Sequence, residues 1–276
     1  MEYQKAKMTE SNPMLMLGHL ITETRDYHKA ERYFNGLLNS SIPNDEEIAC
    51  IYYNLGRVYR LKGDYDQAID YLNRAFLTHS QARPIRLVSA AKTMNAMGIL
   101  CMELNNVPQA IESFESALKY YAKTVQEDHP DVGGTLINLA NIYSEQGQYE
   151  IALSSFKRAE KIYQSYLPPT HPNMASLLNN IGNVYYQQGK FDLALDAYQR
   201  ALSINEKILS PTHPVLARNR HCLSRVYALL GDPTKAQLQL KRASECPSYD
   251  VNAFDETTSF NSSSWSKSLI NDESHI

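Results

Sequence analysis

The alternation of apolar and polar positions recurs along the chain. Six times a small residue sits beside an apolar one and is followed three positions later by an aromatic or apolar side chain: LGHLI (17–21), LGRVY (55–59), MGILC (97–101), LANIY (139–143), IGNVY (181–185) and LSRVY (223–227). The small residues are Gly18, Gly56, Gly98, Ala140, Gly182 and Ser224, spaced by 38, 42, 42, 42 and 42 residues. Twelve positions after each comes Ala30, Ala68, Ala110, Ala152, Ala194 and Ala236, and four further on Phe34, Leu72, Phe114, Phe156, Tyr198 and Leu240. A fourth column, Leu37, Ala75, Ala117, Ala159, Ala201 and Ala243, keeps the same register. Spacings of i, i+1, i+4 and of i, i+4, i+7 each define one apolar helix face, so every unit predicts two helices. Gly63, Gly147, Gly189 and Gly231 lie between the two faces, where a positive φ ends one helix before the next begins.

The array therefore spans 11–244, preceded by a short flexible segment over 1–10. Units of this kind cannot bury their apolar faces alone and gain stability by stacking on neighbours. The first two are the least regular, which suits an N-terminal cap, and the sixth is weakened by Ser224 and Pro233. From 245 to 276 the composition changes to a Ser-rich stretch without helical period, which predicts a disordered tail. The apolar edge of the last unit then needs another cover, from the tail or from a partner.

These columns resemble the tetratricopeptide repeat. The resemblance implies an all-α, right-handed superhelical solenoid of six helix-turn-helix units with a concave groove. The 42-residue period, with DHPDV, THPNM and THPVL opening the last three units, is similar to the kinesin light chain variety, and LNNIGNVYYQQGKFDLALDAYQRALSINEKIL (178–209) is the nearest copy. Similar arrays also follow ADP-ribosyltransferase domains, which leaves open a regulatory or targeting arm of an enzyme. No heptad region of the kind light chains use to join heavy chains is visible.

Composition narrows the picture. The 276 residues carry 27 Lys+Arg against 30 Asp+Glu, a net charge of -3, so whole-chain attraction to nucleic acid is not expected. No stretch approaches the ~20 apolar residues of a membrane span, and the polar N-terminus lacks the apolar run of a signal peptide. Cys50, Cys101, Cys222 and Cys246 have neither zinc nor disulfide-scaffold spacing, which favours reduced thiols and a cytoplasmic setting. The chain contains no GxSxG, HExxH, GxxxxGK[ST] or GxGxxG, so catalysis and cofactors are not expected. His129, His171 and His213 recur every 42 residues, too far apart to converge on one metal ion. Each precedes a Pro suited to a first helical position, so they are expected to start helices.

In the tetratricopeptide family the first helix of each pair lines the groove. Carried onto this sequence, the lining is Tyr53, Arg57 and Arg60 in unit two, Lys92 and Asn95 in unit three, and Asn138 and Asn141 in unit four. Unit five contributes Asn179, Asn180, Asn183 and Tyr186, and unit six Arg218, His221 and Arg225. An Asn amide donates and accepts, which suits pairing with an extended peptide backbone, and Arg or Lys suits carboxylates. The expected function is a non-catalytic adaptor or scaffold holding a partner peptide. A solvated face that merely ties units together is the alternative for the same polar residues, and self-association through the C-terminal unit is a further one. The carboxylate clamp of chaperone-binding relatives is matched at Asn141, Asn180 and Arg218, but Ile137 and Cys222 replace two of its cations. An internal aromatic-plus-acidic peptide is favoured over a free C-terminus. The tail itself carries such pairs, Tyr249-Asp250 and Phe254-Asp255-Glu256, so tethered occlusion of the groove is also open.

Overall fold

The structure is a computed structural model that describes residues 12–40, 44–124, 129–247 and 249. Among the described residues are twelve α-helices and no strand, an all-α repeat array. The flexible segment expected over 1–10 lies outside them, as does the Ser-rich tail apart from 245–247 and Tyr249. The helices are α1 (Pro13–Glu23), α2 (Tyr27–Ser40), α3 (Asp45–Lys62), α4 (Tyr65–Gln81), α5 (Leu87–Glu103) and α6 (Val107–Tyr121), then α7 (Pro130–Glu145), α8 (Tyr149–Tyr166), α9 (Pro172–Gln187), α10 (Phe191–Ile208), α11 (Pro214–Leu229) and α12 (Pro233–Ser244). They gather into two units, residues 1–127 with α1–α6 and residues 128–276 with α7–α12.

Local chemistry sets where helices begin and end. His129, His171 and His213 are the N-caps of α7, α9 and α11: each Nδ1 accepts from the backbone N–H two residues on at 3.2 Å, and a Pro follows at the first helical position. Asn44 builds a reciprocal capping box with Glu47 at the start of α3. Between helices of a pair, Gly63, Gly147, Gly189 and Gly231 adopt φ of 81°, 74°, 72° and 78°. The equivalent place in the first and third pairs is filled by Arg25 (φ 61°) and Asn105 (φ 57°), so the turn geometry is imposed by packing even without glycine.

That packing is a close approach of two columns. A Cβ built on Gly18 would lie 2.4 Å from the Phe34 ring, on Gly56 2.7 Å from Leu72, on Gly98 2.6 Å from Phe114, and on Gly182 2.7 Å from Tyr198. The small residue of the first helix thus receives the large residue of the second, and the helices cross closely because neither carries bulk on both sides. Phe34, Phe114 and Tyr198 are almost wholly buried as a result. In the first unit Leu15, Phe34, Leu55, Val58, Leu72 and Leu100 belong to one core, continued from pair to pair because α2 packs on α3 and α4 on α5. In the second, Tyr198, Leu223 and Val226 form the corresponding core, with α10 packed on α11.

At the end of the second unit, Cys246 and Tyr249 pack on Ala217 and Ala243. The chain therefore supplies part of its own cover for the last pair. In the first unit His79, near the end of α4, is 2% exposed, and its Nδ1 has no hydrogen-bond partner. Burial, with the Arg86 charge adding to it, pulls its pKa from 6.5 down to about 4.

Two expectations follow from this packing. Gly98→Val should destabilise the full chain by about 1–3 kcal/mol in urea titration, since the Phe114 ring has no room to retreat. His79 binds a proton in the unfolded chain below about pH 6.5 but stays neutral in the fold down to about pH 4. Its contribution is therefore whole above pH 6.5 and is lost as pH falls toward 4, by about 3 kcal/mol. His79→Leu should flatten the pH dependence of the melting temperature in that window; an unchanged slope would assign it to other groups.

Candidate functional site

The first helix of each pair carries the polar residues predicted to line a groove, and the structure sorts them by what they hold. In the first unit Arg57 on α3 reaches His19 on α1, with NH1 and Nδ1 3.2 Å apart. Arg60, also on α3, forms a 2.6 Å ion pair with Glu103 on α5, and both side chains are nearly buried. Both contacts bridge first helices of successive pairs. Tyr53 packs at the margin of the core, Lys92 is half-buried and Asn95 is buried.

In the second unit Asn183 on α9 accepts a 2.6 Å hydrogen bond from the Tyr198 hydroxyl of α10, tying the two helices of one pair. Asn179 donates at 3.4 Å to Asn219 on α11, both buried, and so links two pairs. Arg225 on α11 lies over the Tyr186 ring, with its guanidinium carbon 4.9 Å from the centroid, and donates to the Tyr186 hydroxyl at 2.9 Å. Cation–π and hydrogen bond together fix the Tyr186 ring, which also meets Phe191 edge-on at 5.7 Å. His221 Nδ1 and the Tyr249 hydroxyl share a 2.6 Å hydrogen bond.

Asn138 and Asn141 on α7 are half-buried. Asn180 on α9 is 5% exposed, and its Nδ2 has no partner. A buried amide donor left unpaired costs about 1–3 kcal/mol. Arg218 on α11 is half-buried, and desolvation lowers its pKa without neutralising a guanidinium at ordinary pH. Cys222, where the clamp of chaperone-binding relatives has a cation, is buried with its thiol pushed up to about 11. It is neutral at ordinary pH. Ile137, at the other missing cation, is buried as well.

Sequence reasoning did not single out Tyr198 or Asn219 as polar partners. Tyr198 belongs to the aromatic column and reads as core; its hydroxyl finds Asn183 only because the helices of one pair cross there. Burial raises the Tyr198 pKa well above its ordinary value.

The tetratricopeptide repeat profile matches residues 10–76, 89–165 and 173–246. The chain belongs to the tetratricopeptide repeat family. Repeats of this family generally mediate protein–protein interaction and are generally non-enzymatic. Among solved structures, BtubC (BKLC) from P. vanneervenii is similar with a TM-score of 0.72 and 22% identity, covering 83% of this chain and 93% of that one. The putative kinesin light chain repeats of Podosopora anserina give a TM-score of 0.59 at 22% identity, covering 71% and 92%. At these identities the likeness shows the fold, and it includes a kinesin-light-chain-like array. Photosystem I assembly protein Ycf3 of Prochlorococcus marinus is 28% identical over 108 residues, 39% of this chain. The matched stretch spans 55% of that protein's length. Among the described residues no helix is long and apolar enough to cross a membrane, and no cluster of three His, Cys, Asp or Glu could hold a metal ion.

The buried Arg60–Glu103 pair makes a sharp expectation about tetratricopeptide stacking. Glu103→Ala should cost about 3 kcal/mol in urea titration, because Arg60 is left charged and largely out of water. The double variant Arg60→Met/Glu103→Leu should be milder than Glu103→Ala alone. A double variant worse than the single would show the pair to be a net source of stability.

Proposed function

We propose that the chain is a non-catalytic adaptor or scaffold of the cytoplasm that holds an extended or helical segment of a partner protein against the first-helix face. The observation that carries this reading is the amide of Asn180, buried with its Nδ2 unpaired, on the same run of first helices as Asn138, Asn141 and Arg218. The half-buried Asn141 amide offers a donor and an acceptor to a partner backbone, a small shift of the Asn180 side chain brings its Nδ2 within reach of a partner carbonyl, and Arg218 offers a charge-assisted hydrogen bond to an acidic side chain. The stacked Tyr186–Arg225 pair adds a fixed aromatic surface for an apolar or aromatic partner side chain. Such a segment combines aromatic and acidic residues. Family membership supports the protein-binding part of this reading, and cysteine spacings unlike those of a zinc site or disulfide scaffold agree with a reducing compartment.

The polar lining has two jobs in this reading. Arg57, Arg60, Asn179 and Asn183 hold helices together, while Asn138, Asn141, Asn180 and Arg218 are the lining residues this reading assigns to the partner, whatever contacts they also make within the chain. The division decides which variants test it. Replacing Asn138, Asn141 and Asn180 together by Ala should weaken capture of an aromatic-acidic peptide at least about tenfold with helicity unchanged by circular dichroism. Asn183→Ala should instead lower stability by about 1–2 kcal/mol, because the buried Tyr198 hydroxyl loses its acceptor. Equal capture by the triple variant would move binding away from this face.

A further inference from the structure

The first helix of the array presents a face whose counterparts on the later first helices are buried, apart from the partly buried Met97. Aligned on the small column, Leu17 of α1 corresponds to Leu55, Ile181 and Leu223, and Leu20 to Val58, Leu100, Val184 and Val226. All of those counterparts are buried, in first helices against which the second helix of the preceding pair packs. On α1 the same positions are open: Leu17 is 49% exposed and Leu20 59%, with Met14 at 58%. Met14, Leu17 and Leu20 follow one another at three-residue steps and form one stripe. The helix beneath is held firmly. Asn12 caps it, the Tyr33 hydroxyl donates to the Met14 carbonyl at 2.9 Å, and Arg57 reaches His19.

We infer that this stripe is the contact surface for a second copy of the chain, α1 against α1 about a two-fold axis. Three observations select that occupant. Between Pro13 and Thr22 the helix has no Lys, Arg, Asp or Glu, so two copies meet without burying like charges. The stripe is symmetric about Leu17: in an antiparallel pair crossing there, Leu17 meets its own equivalent and Leu20 falls over the other copy's Met14. The contact is then self-complementary, as a two-fold requires. The opposite end of the array is already engaged. Asn179 bonds forward to Asn219 on the next first helix, and His221, in the same column one repeat later, bonds to Tyr249 instead. Tyr249 stands where a following repeat would begin, which disfavours head-to-tail growth through that end.

The three side chains expose on the order of a few hundred Å², below the ~800 Å² per partner of a standard interface, so the dimer is weak and concentration-dependent. Sedimentation velocity of the full chain over a concentration series tests it. The expected result is a reversible monomer–dimer equilibrium that Leu20→Glu and Leu17→Lys each weaken at least about tenfold, each change acting twice across the axis. Leu238→Glu on α12, another exposed leucine, should leave the dimer unchanged. A Leu17→Cys variant should cross-link to a homodimer under mild oxidation, where the parent chain with its four native thiols does not. Four outcomes overturn the inference: a monomer at every concentration, a dimer indifferent to Leu17 and Leu20, polymers beyond the dimer, or a dimer that forms only after residues 1–11 are deleted, which would assign the stripe to the chain's own N-terminus.

Discussion

The structure depends on one steric constraint: the helix pairs close by seating a large side chain of the second helix against a small residue of the first, and in four of the six pairs that residue has no room for a Cβ. Phe34 on Gly18, Leu72 on Gly56, Phe114 on Gly98 and Tyr198 on Gly182 are four instances of the same contact. Dispersion at such short range is lost steeply with small displacements, so the contact fixes the crossing of each pair. Once the crossing is fixed, the outer faces of the pair are fixed too, and the next pair has a defined surface to stack on. The left-handed turns follow from the same demand. Arg25 and Asn105 adopt positive φ because the helices they join are already committed to this crossing.

Polar residues on the first helices live within that frame and answer to two masters. Some finish the stacking: Arg60 with Glu103, Arg57 with His19, Asn179 with Asn219. Asn180 differs, with its Nδ2 buried and without a hydrogen-bond partner. Neighbouring positions on one helix face therefore differ in what they hold. The division here runs residue by residue along single helices, as Asn179, Asn180 and Asn183 show on α9. The same logic reaches the array's ends. Cys246 and Tyr249 pack on the last pair, while the stripe on α1 is exposed among the described residues.

Much of the fold was legible beforehand because it is periodic. Glycines between helices, the Ala and aromatic columns and the His-Pro starts all act through neighbours a few residues away, and such effects leave a fixed spacing in the chain. The candidate site was legible only as a set of positions. Nothing in the spacing distinguishes Asn179, whose Nδ2 donates to Asn219, from Asn180, whose Nδ2 has no partner. Nor does it reveal that Arg60, a natural partner for a carboxylate, already holds the one on Glu103.

By itself, then, the sequence determined the helices, their pairing, the turn geometry and the absence of any familiar catalytic motif, because all of these rest on local sterics and short-range hydrogen bonds. Only the tertiary structure decided which polar groups find one another within the protein. Hydrogen bonds between residues forty positions apart depend on distances of a few tenths of an ångström, set by how one pair of helices settles on the next, and no count along the chain contains that information.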